Sequence, residues 1–155
     1  GVSWRPFEGF NVTAEELWKR WSRWKNFFVQ YPNPRFHDTW NTRLGAEYEA
    51  ATGSQILQTV TSRAGGYREL SPVPNQNGHS NYLDPEKWVA TIGFDTAWGF
   101  GDLDLLRTPL HFAVAGQVHF MDQIHLNNAA DPDYPPLDAG GQVYSLTTTL
   151  GVSVP

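Results

Sequence analysis

The sequence has no cysteine and a single methionine. Without cysteine there is no disulfide framework and no thiolate metal site. No apolar run approaches the roughly 18 residues that a membrane-spanning helix requires. Basic residues are few, 11 Lys and Arg against 16 Asp and Glu for a net charge of −5, and they are too scattered for a nucleic-acid surface. Gly-x-Ser-x-Gly, His-Glu-x-x-His, a phosphate loop and a dinucleotide fingerprint are all missing, so nothing points to an enzyme or to a cofactor. His111 and His119 share a strand face but lie about 26 Å apart at roughly 3.3 Å per residue, too far to share one metal ion.

What is present is aromatic: seven Trp, six Tyr and nine Phe in 155 residues, enough for one domain spanning 1–155. The mean hydropathy of −0.45 looks aqueous. A strand that crosses a membrane, however, shows lipid only every second residue. The N-terminal Gly-Val-Ser-Trp-Arg-Pro carries neither an initiator Met nor a signal peptide, which predicts a processed chain or part of a longer one.

The clearest pattern lies at residues 142–154. Tyr144, Leu146, Thr148, Leu150, Val152 and Val154 alternate with Ser145, Thr147, Thr149, Gly151 and Ser153. A period of two is a strand's period and separates an apolar face from a hydroxyl-rich one. A soluble sandwich would turn the apolar face inward, and a membrane barrel would turn it outward to lipid. Residues 87–98 help to decide, because one face carries Trp88, Ala90, Ile92, Phe94, Thr96 and Trp98, with Trp at both ends. Such a strand tilted by about 45° climbs roughly 23 Å, close to the band of about 25 Å between the aromatic girdles of an outer-membrane barrel.

The same reading predicts strands over 2–5, 10–25, 39–50, 55–68, 87–98, 110–122 and 142–154. Connections at 6–9 and 51–54 are short, those at 27–38, 70–86 and 127–141 are long and Pro-rich, and 99–108 is intermediate. Short turns at one rim and long loops at the other are the build of outer-membrane barrels. In the third strand Trp40, Thr42, Leu44, Ala46 and Tyr48 oppose Asn41, Arg43, Gly45, Glu47 and Glu49. In the sixth, Phe112, Val114, Val118 and Phe120 oppose His111, Ala113, Ala115, Gln117 and His119. Two stretches resist. In 11–28 a Thr13/Glu16 capping box and Leu17, Trp21, Trp24 and Phe28 follow a helical period; as a strand, this stretch places Glu16 and Arg20 on the face of Val12, Trp18 and Trp24. In 55–68 the alternation is poor, and Gly65-Gly66 would weaken a strand unless it marks a bulge.

In order along the chain, Gly-Val-Ser-Trp-Arg-Pro at 1–6, Arg-Trp-Ser-Arg-Trp-Lys at 20–25, Asp-Thr-Trp-Asn-Thr-Arg-Leu-Gly-Ala-Glu-Tyr-Glu at 38–49, Ser-Pro-Val-Pro at 71–74 and the closing Leu-Thr-Thr-Thr-Leu-Gly-Val-Ser resemble the C-terminal half of the FadL/TodX family. These are outer-membrane transporters of long-chain fatty acids and other hydrophobic compounds. The resemblance implies an all-β, antiparallel transmembrane barrel, with about seven C-terminal strands here out of about fourteen, and a plug supplied by an N-terminal segment. The chain departs from the family pattern in the helix-like 10–25, the irregular 55–68 and an ending on Val154-Pro155 rather than an aromatic residue.

The expectation is thus a passive channel in the bacterial outer membrane that captures a hydrophobic small molecule at its outer loops. Its other partners are the remaining N-terminal half of the barrel, outer-membrane lipid and lipopolysaccharide, with no nucleic acid. Candidate substrate-binding residues are the loop side chains Phe27, Phe28, Tyr31, Phe36, Val73, Tyr82 and Leu83, too apolar for loops that merely face water; the bland reading is mutual packing. Arg43, Glu47, Glu49, His111, Gln117 and His119 are expected to face the lumen, as polar lining. Three alternatives stand beside this reading: a general porin, a structural outer-membrane partner in a complex, and a soluble Trp-rich β-sandwich that binds carbohydrate.

Overall fold

The computed structural model describes residues 1–74, 82–99, 109–126 and 136–152. Seven strands run in chain order: β1 (Val2–Phe7), β2 (Phe10–Lys19), β3 (Thr39–Ala51), β4 (Leu57–Glu69), β5 (Lys87–Trp98), β6 (Leu110–Leu126) and β7 (Leu137–Val152). Each pairs antiparallel with its sequence neighbour, giving one sheet of order β1-β2-β3-β4-β5-β6-β7. A single turn of 3₁₀ helix, Trp21–Arg23, follows β2.

Pairing carries the period of two across the whole sheet. One row runs Ala14, Leu44, Gly66, Ala90, Val118 and Tyr144, and the next runs Val12, Ala46, Ala64, Ile92, Gly116 and Leu146. Among the described residues nothing covers this apolar face: Leu44 is 60% exposed, Ile92 56%, Leu146 75% and Leu150 69%. Stacked aromatic pairs mark its two ends. Trp18 and Trp40 lie 6.0 Å apart near the rim of the long connections, and Phe7 and Phe10 lie 5.0 Å apart at the other. A register shift in β1 between Trp4 and Phe7 brings Phe7 opposite Phe10. The Glu8-Gly9 turn between them requires glycine, because Gly9 has φ +78° and a Cβ there would collide with the Glu49 carbonyl oxygen.

Several expectations are corrected. The strand expected over 10–25 stops at Lys19. Its helical pattern yields because the segment is held by β1 on one side and, along its full length, by β3 on the other, and a ladder on both edges outweighs local propensity. Thr13, read as a helix cap, aims its hydroxyl at the Gly45 carbonyl, and Glu16 Oε2 accepts the Thr42 hydroxyl at 2.7 Å. Trp24 is not on the strand face but in the loop. Gly65 and Gly66 mark no bulge, since register runs unbroken through them to both neighbours; a Cβ on either would sit 2.9 Å from a backbone oxygen of the next strand, so glycine here permits close approach. The shifts fall at Leu57/Thr59 and Met121/Ile124 instead. β6 and β7 extend beyond the expected 110–122 and start before 142, so the connection between them, 127–136, is no longer than 99–109 at the opposite rim. The remainder of the loops at 75–81, 100–108 and 127–135, and the ending at 153–155, lie outside the described residues.

Candidate functional site at the rim of the long connections

Connection 20–38 and the described parts of 70–86, residues 70–74 and 82–86, leave the sheet at one rim and pack on its polar face. Thr39 and Asn41 point to that face and are 1% and 2% exposed, while Trp40 between them, on the apolar face, is 56% exposed. The joint is aromatic. Phe36 is buried, stacked on Trp24 at 5.4 Å and met edge-on by Tyr82 at 5.0 Å. Backbone bonds complete it: His37 N–H donates to the Pro72 carbonyl at 3.0 Å, and Ser22 N–H donates to Asp38 Oδ1 at 2.8 Å. That N–H, with Arg20 and Arg23 nearby, holds the Asp38 carboxyl below its ordinary pKa. Beneath, Glu69 takes Lys19 Nζ at 2.6 Å, Asn41 Nδ2 at 3.3 Å and Lys87 Nζ at 3.4 Å, tying β2, β3, β4 and β5 together. Burial raises the carboxyl pKa of Asp84, with Lys87 opposing.

The candidate loop side chains therefore divide. Phe36 and Tyr82 form the joint, and Val73, half-buried, gives its N–H to Ser71 Oγ. Phe27 and Phe28 stand out at 94% and 75% exposed, meeting edge to face at 5.7 Å, with Leu83 exposed elsewhere on the rim. Their tip is built by Asn26, whose Oδ1 accepts the N–H groups of Phe28 and Gln30 and whose N–H donates to the Gln30 carbonyl. The closure places Val29 at φ +61°, a conformation that a β-branched residue rarely adopts. Tyr31 is not part of the tip; Lys25 Nζ and Arg35 Cζ both lie against its ring, at 4.9 and 4.1 Å.

Along the polar face the charges pair across strands. Arg43 meets Glu15 at 3.5 Å and lies 5.6 Å from the Tyr67 ring, Arg63 meets Glu47 at 2.6 Å, and His111 Nδ1 lies 3.5 Å from Asp95 Oδ1. The register places Gln117 and His119 on this face, opposite Ser145 and Val143. Glu49 borders a recess with Arg5, and its N–H donates to the Gly9 carbonyl at 2.8 Å. All six residues expected on the polar side share it. A shallow trough of about 300 Å³ runs between Arg43, Glu47, Arg63, Tyr67 and Thr91, floored by Gly45 and Gly65.

Sequence reasoning missed the partners Glu15, Arg63 and Asp95, the Lys19–Glu69–Lys87 link and the role of Asn26. All but the last depend on register, which no single strand reveals; Asn26 carried a local signal, since Asn caps its own turns. Among the described residues no three His, Asp or Glu side chains converge as metal ligands. No protein family, curated protein or solved structure matches this chain.

Proposed function

We propose that the chain forms part of a bacterial outer-membrane β-barrel, about seven strands of a larger one of about fourteen, through which hydrophobic molecules such as long-chain fatty acids or hydrocarbons pass down their gradient. No bond is made or broken. One observation carries the reading: a face of Leu, Ile, Val and Phe spans the seven-stranded sheet with nothing over it among the described residues, and the opposite face holds the pairs Glu15–Arg43, Glu47–Arg63 and Asp95–His111. Water against that apolar face would be unfavourable at roughly 25 cal/mol per Å², and lipid removes the penalty. Glu16 and Arg68, the charges that the rows place on it, share a row with Trp88 near one end, where a charge costs about 0–1 kcal/mol rather than the 2–4 kcal/mol of an Arg at the midplane. The connections 20–38, 70–86 and 127–136 would then be extracellular, with capture at the exposed Phe27-Phe28 tip.

The test is uptake by the full-length protein carrying Phe27→Ser and Phe28→Ser, in cells lacking other routes, with folding read from heat-modifiable gel mobility. Hydrophobic uptake should fall several-fold, since an aromatic contact contributes roughly 1.5–3 kcal/mol, with small polar solutes unaffected. Unchanged hydrophobic uptake would remove the tip from capture. A general porin is favoured by one observation, the charged lining Glu15–Arg43 and Glu47–Arg63 on the polar face. Wild-type protein passing polar solutes as readily as apolar ones would select that reading.

A further inference from the structure

Midway along the polar face the sheet leaves a gap in its lining. Gly45, the middle residue of β3, lies opposite Thr13 on β2 and Gly65 on β4, and Gly65 lies opposite Thr91 on β5. Long side chains flank this row on both sides. Arg43 stands opposite Tyr67 on one side, with Cζ 5.6 Å from the ring centroid, and Glu47 stands opposite Arg63 on the other, paired at 2.6 Å. Four positions along each strand separate the two flanking rows, about 13 Å at roughly 3.3 Å per residue. That gap is the trough of about 300 Å³.

Its two glycines are there for different reasons. A Cβ on Gly65 would lie 2.9 Å from the Leu44 carbonyl oxygen, so the close approach of β3 holds that position to glycine. At Gly45 the nearest obstacle to a Cβ is the Thr13 hydroxyl at 3.0 Å, which rotation about χ1 can move, and φ is not positive. The backbone itself does not demand glycine at 45. Glycine inside a strand weakens it and marks a place where a ligand or another chain approaches closely. Whatever approaches here meets a flat floor of backbone, with the threonines 13 and 91 at its ends.

The walls offer more donors than acceptors. Arg63 uses Nε on Glu47 Oε2, and Arg43 has one contact at 3.5 Å, to Glu15 Oε2, longer than a charge-assisted hydrogen bond. Both arginine side chains are half exposed and keep N–H groups to give. The one carboxylate lining the trough among the described residues, Glu47, is already engaged. A sugar ring needs acceptors and donors in similar number. A carboxylate needs donors alone, and a guanidinium presents them in a planar fork that fits two oxygens. The flat floor, with the Tyr67 ring beside it, fits a planar apolar body attached to that carboxylate.

We infer that the trough is a binding site for a planar aromatic carboxylate, whose ring lies on the Gly45–Gly65 floor beside Tyr67 and whose oxygens accept from the Arg43 guanidinium. This ligand is neither an uncharged hydrocarbon nor a flexible acyl chain. The site depends on the pairing of β2 to β5 and not on a membrane, so it stands apart from the channel reading; in a channel, a solute would meet it halfway along. The test is equilibrium binding of benzoate to full-length protein folded in neutral detergent, read from ligand NMR line widths. Cyclohexanecarboxylate, benzyl alcohol and acetate are titrated alongside, and heat-modifiable mobility checks the fold of each variant.

Wild type should bind benzoate at least about fivefold more tightly than each of the other three, and Arg43→Gln should lose about tenfold for benzoate with little change for benzyl alcohol. Arg43→Lys keeps the charge without the fork and should fall between them. Gly45→Ala, which sets a methyl group on the floor, should weaken benzoate several-fold, and Arg35→Gln, the same loss of charge on the connection after β2, should leave it unchanged. Acetate binding as well as benzoate would make this an anion site only, and equal binding of cyclohexanecarboxylate would remove the flat floor from recognition. Either result overturns the inference, as does unchanged benzoate affinity in both Arg43→Gln and Gly45→Ala. Hydrophobic uptake without a preference for benzoate sinks this inference alone. Benzoate binding by a protein that shows neither uptake nor heat-modifiable mobility supports it and sinks the channel reading.

Discussion

Phe36 meets Tyr82 edge to face, 5.0 Å between ring centroids, and so joins the connection after β2 to the one before β5. Removing a buried aromatic of this kind costs about 3–5 kcal/mol. Phe36→Ala should therefore open both connections to limited proteolysis at 20–38 and 70–86 while the strands stay protected. Phe27→Ala, at an exposed tip, should leave the cleavage pattern as it was.

The joint should also loosen in acid. Asp38 has its pKa lowered from its ordinary 3.8, first by the Ser22 N–H and then by Arg20 and Arg23. A carboxyl depressed in the folded state stabilises it above the unfolded pKa, and the contribution disappears as pH falls through the folded pKa. Cleavage within 20–38 by an acid protease should accordingly rise as pH drops below about 4, and Asp38→Asn should remove that dependence. A rise of the same size in Asp38→Asn would assign the acid sensitivity to another group.

Gly9 and Gly53 both adopt positive φ, +78° and +71°, but only Gly9 has a neighbour in the way. Gly53→Ala should cost about 1–2 kcal/mol, the left-handed penalty alone. Gly9→Ala adds collision with the Glu49 carbonyl and should reduce the folded fraction much further. Denaturant midpoints in detergent measure both, and equal losses would show that the Glu8-Gly9 turn yields.

Leu146 and Ser145 are adjacent in β7 and point to opposite faces. If lipid covers the apolar face, Leu146→Arg in folded full-length protein should cost about 2–4 kcal/mol near the midplane, and Ser145→Arg much less. Unfolding by denaturant in lipid vesicles measures the difference. A soluble sheet with its apolar face in water would barely register Leu146→Arg.

Residues 1–155 alone should need detergent to stay dispersed. Among the described residues β1 and β7 each pair on one side only, and exposed edges beside an uncovered apolar face template aggregation. A monodisperse folded species in plain buffer would contradict the barrel reading.

Much of this architecture was legible in the sequence because a strand's period of two is a local property: Lys87–Trp98 was bounded by its own alternation, and so was the division of Arg43, Glu47 and Glu49 from Trp40, Leu44 and Tyr48. The Pro-rich 27–38 and 70–86 announced themselves in the same way, since proline cannot donate to a ladder. What tertiary structure alone decided was everything set by partners distant in sequence. Phe10–Lys19 reads as a helix by itself, and becomes a strand only because β1 and β3 hold its two edges. Val73 and Tyr31 read as equals of Phe27, yet one is half-buried and the other is enclosed by two cations, because loop composition records apolarity and not which ring finds a neighbour. Lys19 and Glu69 lie 50 residues apart and meet at 2.6 Å only through the register of the strands between them, a quantity that no stretch of sequence carries on its own.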